Sequence, residues 1–184
     1  MVIIYFFIII LLFNCEGNNE SGFNFLDCNG IENGDNMSCF GCTDHSAINY
    51  GNEFTEDDNS CIWPFQMTQN QAFYFIKNII DNTGENVSFE EFYIGAFINE
   101  NCIGYRLWEG EYTDIPAMGN SGSIINYLNV GDVPVFKLYD NINNNQFLLE
   151  FDGNCYSNAN HTDIINCGFV NNGIYYINSL TVVY

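Results

Sequence analysis

The chain has 184 residues, of which only 3 are Lys or Arg and 23 are Asp or Glu, a formal net charge of −20. Three cations cannot replace the counterions along a nucleic acid, and so acidic a chain is repelled by anionic lipid head groups, which excludes both as partners on charge. Composition also excludes disorder, because 47% of residues are hydrophobic and 17% aromatic while 14% are charged. Asn, with 30 copies, takes the polar positions that Lys usually fills.

Residues 2–13 form an unbroken apolar run. It is shorter than the roughly 20 residues that span a bilayer as a helix, and it has the length of the apolar region of a secretory signal. The run ends Leu11-Leu12-Phe13-Asn14-Cys15 and passes at once into Glu16-Gly17-Asn18-Asn19-Glu20. This resembles a bacterial lipoprotein signal, in which the first mature residue is a lipidated Cys, although Asn14 departs from the small residue usual before it. The expectation is a signal over 1–14, lipidation at Cys15, and a short linker over 15–27. Such a protein is extracellular or at the cell surface, and it touches a membrane only through its lipid anchor.

Eight cysteines stand at 15, 28, 39, 42, 61, 102, 155 and 167. In an exported chain they read as disulfides, whereas in a reducing compartment the same residues would suggest metal or catalysis. Cys39-x-x-Cys42 has no second CxxC or paired His to complete a zinc site, and no βαβ setting to make it a redox motif. Proximity favours Cys28 with Cys39, Cys42 with Cys61, and Cys155 with Cys167, leaving Cys102 unpaired.

Residues 28–61 are rich in Gly, Asn, Asp and Cys, with few consecutive apolar residues. Order in such a segment is expected from disulfides or bound ions. From residue 62 onward, apolar and aromatic runs alternate with Gly, Asn and Asp clusters, the signature of consecutive strands. Strands are predicted over 72–80, 92–98, 102–108, 112–117, 123–128, 133–139, 146–151 and 174–184. In the run 133–139, Val135, Lys137 and Tyr139 share one face while Phe136 and Leu138 share the other. No stretch shows a clear 3.6-residue period. The fold class is therefore all-β, an antiparallel β-sandwich of jelly-roll or Ig-like kind over 62–184, preceded by a small disulfide-rich loop module.

Two resemblances follow from local patterns. Gly41-Cys42-Thr43-Asp44-His45-Ser46-Ala47-Ile48-Asn49-Tyr50, followed by Thr55-Glu56-Asp57-Asp58-Asn59-Ser60-Cys61, resembles the short Cys-rich module GCTDxxAxNYxxxATxDDGSC of secreted and surface proteins in marine bacteria. His45, Phe54 and Asn59 depart from it. The resemblance implies a spacer stabilised by calcium or disulfides. The remainder resembles a β-sandwich domain of secreted Bacteroidota proteins. That likeness rests on Tyr93-Ile94-Gly95-Ala96-Phe97, Asn101-Cys102-Ile103-Gly104, the run from Gly131-Asp132 to Tyr139-Asp140, and Asn172-Gly173-Ile174-Tyr175-Tyr176. Phe92-Tyr93 stands where that family carries an acidic residue. The resemblance implies a surface or secreted module, adhesive or glycan-binding, without catalytic residues.

The residues permit three kinds of chemistry. Calcium needs six to eight oxygens, and Asp44, Asn49, Asp57 and Asp58 lie together in one Cys-closed loop, without EF-hand spacing. The same side chains could instead cap turns. Enzymatic readings lack motifs: His45 and His161 are the only histidines, and no nucleophile elbow, H-E-x-x-H or phosphate loop is present. Aromatic platforms for a sugar are offered by Trp63, Tyr139, Tyr105, Tyr112 and above all Trp108, set beside Glu109-Gly110 at a strand end; a sandwich core needs many such rings too. Sequons occur at Asn36, Asn86 and Asn160. The expectation is a non-enzymatic adhesion or interaction module that binds a glycan or a surface protein. The alternative is a structural subunit that self-associates into a fibre or layer by strand pairing, using the apolar run 179–184.

Overall fold

A computed structural model describes residues 26–28, 30–35, 37–88 and 92–184. The signal segment and Cys15 lie outside the described residues, as does Asn36. Among those described there is no α-helix, and no helix is long and apolar enough to cross a membrane.

The first strands are short: β1 (Phe40–Gly41) and β2 (Glu56–Asp57) pair in parallel within the Cys-rich module. The main body follows as β3 (Gln71–Ile80), β4 (Phe92–Ile98), β5 (Asn101–Leu107) and β6 (Thr113–Met118). It continues with β7 (Val135–Asp140), β8 (Asn145–Glu150), β9 (Cys155–Tyr156), β10 (Ile164–Ile165) and β11 (Ile174–Val183). Period-two burial explains why these segments are strands: in β3, Ala72, Tyr74 and Ile76 are buried while Phe73, Phe75 and Lys77 between them are half-buried.

Nine strands form one sheet that folds over itself. β6 pairs with β3, and β3 pairs in parallel with the long β11, from Phe73–Ile174 to Ile80–Thr181. The end of β11 continues into β8, β7, β4 and β5, all antiparallel, while Tyr176 near its start meets Tyr156 of β9. Tyr74 of β3 and Phe136 of β7 are remote along the sheet, yet their rings meet at 5.5 Å. That contact makes the architecture a sandwich of two facing layers joined through β11. Between the layers, Tyr74, Ile76, Ile94, Ile103, Ile115, Phe136, Leu138 and Leu180 are sealed from solvent. β5 and β6 close the opposite side: a side chain at Gly104 would collide with the Pro116 carbonyl. Pro116 has no N–H to offer a ladder there.

Three disulfides join Cys28 to Cys39, Cys42 to Cys61 and Cys155 to Cys167, and Cys102 is a buried free thiol. Three bridges fit an oxidising environment such as the extracellular space. The loop closed by Cys155–Cys167 is tied to the core by two phenols, since Tyr74 donates to the Cys167 carbonyl (2.8 Å) and Tyr175 to that of Gly168.

Two expectations need correction. Residues 123–128 are turns and isolated bridges, because Ile125 is 68% exposed, Asn126 adopts φ +70°, and Leu128 alone is buried. The C-terminal run is largely engaged rather than a free edge: Ser179–Thr181 pair with β3 and Thr181–Val183 with β8.

Candidate functional site

The Cys-rich module is not a detached spacer. It lies on the outer face of the β4–β5–β7 layer, where a second apolar cluster gathers Trp63, Phe97, Cys102 and Tyr139 with half-buried Ile48, Ile62, Phe65, Tyr93 and Tyr105. Its motif residues act as internal staples. Asp44 Oδ1 accepts both the N–H and the hydroxyl of Ser46 (2.9 and 2.7 Å), and these bonds hold its carboxyl below the usual aspartate range. Ser46 in turn accepts Phe65 N–H at Oγ and the Tyr105 hydroxyl at its carbonyl. Asn49 bridges the loop ends, donating to the Ser60 carbonyl and accepting Ile62 N–H (2.8 and 2.7 Å).

These bonds drive Trp63 into the sheet face. Its backbone is left-handed at φ +54° and its side chain is 8% exposed. The indole packs against Phe97 at 5.1 Å and Tyr139 at 5.5 Å, and its N–H donates to Gln146 Oε1 at 2.8 Å. A bulky residue at positive φ persists only where packing over-determines it.

Beside Trp63 the surface opens into a cleft of about 370 Å³, within the size range of small-molecule sites, about 300–1,000 Å³. Trp63, Phe97 and Cys102 form its base. One wall comes from the β4–β5 hairpin, where Ile98 pairs with Asn101 and Asn99 sits at φ +53°. That two-residue turn lifts Glu100 and Asn101 to the rim. The other wall is the 125–127 segment, pinned by Gln66 N–H on the Tyr127 hydroxyl and by Tyr127 N–H on Asn120 Oδ1 (each 2.8 Å). Glu100 Oε2 holds Lys137 Nζ at 3.0 Å, and that ammonium also lies 4.5 Å from the Phe97 ring centroid. Among the described residues, Glu100 Oε1 and the Asn126 side-chain amide have no hydrogen-bond partner within the protein. Burial pushes the Cys102 thiol up to about 12, against a small opposing pull from its Gly104 carbonyl partner and from Lys137, so it is a neutral wall of the base rather than a nucleophile.

The predicted ligand residues are dispersed. Trp108 is 3% exposed and belongs to the inter-layer core, its indole N–H aimed at the Val87 carbonyl (3.4 Å); the expected exposure at a strand end is overturned because the ring turns inward. Tyr105 lies under the module with its hydroxyl engaged by Ser46. Tyr112 stands elsewhere, stacked on His161 and donating to the Ala159 carbonyl. Of the aromatic candidates, Trp63, Tyr105 and Tyr139 do come together. Sequence reasoning missed Glu100, Asn101 and Asn126; the Asn99-Glu100 pair between two apolar runs was the available signal for the hairpin.

The calcium candidates make turn and loop hydrogen bonds. Asp57 and Asp58 accept the N–H groups of Asn59 and Ser60, capping turns as Asp44 does. Asn49 spends both ends of its amide on the backbone. Among the described residues no group of three or more His, Cys, Asp or Glu is placed to hold a metal. No protein family model, curated protein or solved structure matches the chain.

Proposed function

We propose that the protein is an exported, non-enzymatic surface module that binds a glycan in the cleft beside Trp63. The observation that carries this reading is the combination of an aromatic base with an open carboxylate oxygen and amides at the rim. Sugars present C–H faces that pack on aromatic rings and hydroxyls that pair with carboxylates and amides, and the exposed edge of Trp63, the half-buried Tyr127 ring and the rim groups offer both kinds of contact in one depression. The apolar run before Cys15 and the three disulfides support an exported location, and the module's likeness to surface-protein spacers agrees with it. Screening the purified protein on a glycan array, followed by titration of hits against Trp fluorescence, tests it. Binding should fall at least tenfold in Asn101→Ala, and a binder unaffected by that change would place the site elsewhere on the molecule.

A further inference from the structure

We infer that this cleft selects saccharides without acidic groups, and prefers amine-bearing ones over uncharged ones at low salt. The inference rests on the glycan reading above and adds to it the charge of the ligand. Recognition of carboxylated or sulfated sugars is normally done by Arg or Lys, whose N–H groups match an oxyanion. The chain has 3 such residues, and none of them lines the cleft. Lys77 is on β3, in the other layer. Arg106 faces Asp114, 3.9 Å away.

Lys137 is the nearest cation, and it is already committed. Its side chain is only 13% exposed, its ammonium rests against the Phe97 ring, and Glu100 holds it at 3.0 Å. Glu100 is the opposite case, with a side chain 91% exposed at the rim and one oxygen left over. A ligand entering the cleft therefore meets a carboxylate before it meets any cation, inside the field of a molecule carrying −20. An amine about 5 Å from Glu100 in a solvent-exposed setting gains at most about fourfold in affinity, and a carboxylate at the same distance loses as much, with the paired Lys137 ammonium reducing both.

The test is a set of NMR titrations of the disulfide-intact protein with three probes: glucosamine oligomers (amine-bearing), N-acetylglucosamine oligomers (uncharged) and galacturonic acid oligomers (acidic). The expected order of affinity is amine, then uncharged, then acidic, narrowing between about 0.02 and 0.2 M salt as screening shortens. Glu100→Gln keeps an acceptor for Lys137 but leaves its charge unbalanced, and should bring the amine probe level with or below the uncharged one. Asn126→Asp, at a left-handed position that Asp tolerates, adds a rim charge without touching Lys137 and should widen the gap. Equal or tighter binding of the acidic probe would overturn the charge selectivity while leaving glycan binding intact. If no probe binds and the glycan array is also blank, the glycan reading falls and the selectivity falls with it.

Discussion

Replacing Trp63 by Ala is the sharpest test of how the module and the sheet are joined. The indole is almost wholly buried, packed against Phe97 and Tyr139, and bonded to Gln146. Truncating a packed Trp costs about 3–5 kcal/mol, and the orphaned Gln146 amide adds little if water can reach it. Backbone strain supplies an internal control. Gly normally destabilises an ordered segment relative to Ala by about 0.5–1 kcal/mol, but at φ +54° that sign should reverse. Trp63→Gly should thus be at least as stable as Trp63→Ala. Urea unfolding can be followed through Trp108, the second Trp, which lies in the separate inter-layer core. Limited proteolysis of residues 37–62 reports the module. The expected result is a module that becomes cleavable while Trp108 emission without denaturant stays that of a buried indole. A loss below about 1 kcal/mol with the module still protected would refute the clamp, as would Gly proving clearly worse than Ala.

Three further outcomes are expected. Asp140 is buried and accepts the N–H groups of Ile142 and Asn143 and the Asn143 amide. Burial raises its pKa, but these bonds outweigh it and hold the carboxyl below the ordinary 3.8. A depressed folded value means its stabilisation is present above pH 3.8 and is lost as pH falls through the folded value. Asp140→Ala should cost about 1–3 kcal/mol at neutral pH and flatten that acid limb, read by urea titration at several pH values. Cys102 should resist iodoacetamide at pH 8 and be alkylated only in denaturant, as peptide mass mapping would show; labelling of the native protein would contradict its burial. Calcium at 100 times a dissociation constant would stabilise a calcium-binding module by about 2.7 kcal/mol. Since Asp44, Asp57 and Asp58 each already give an oxygen to a turn N–H, thermal unfolding in about 10 mM calcium, 100 times the about 10⁻⁴ M constant of many extracellular modules, should show no such rise.

The long strands were legible because period-two burial and β-rich composition act locally. β4 spans the predicted 92–98, and β3, β7, β8 and β11 differ from prediction by a residue or two at their ends. The three bridges coincide with nearest-in-sequence pairing, as short loops favour. Residues 123–128 misled because Ile124, Ile125 and Leu128 look strand-like, while turn-forming Asn126 and the Asn120 side chain decide the backbone. The docked module was illegible for a different reason. Ile48, Ile62 and Phe65 are too few and too scattered to announce a surface, and become one only when Tyr93, Phe97, Tyr105 and Tyr139 arrive from distant strands. Trp108 failed for a related cause: which side of a strand end a ring takes is set by the opposing layer, not by its neighbours in sequence.

The parallel pairing of β3 with β11 has a kinetic meaning. Phe73 must wait for Ile174, 101 positions later, before its strand acquires that neighbour. Contacts of such long sequence separation close slowly, and this one cannot form before Ile174 has been synthesised. Under the export proposed above, that delay would keep the chain compatible with translocation before its cysteines are oxidised.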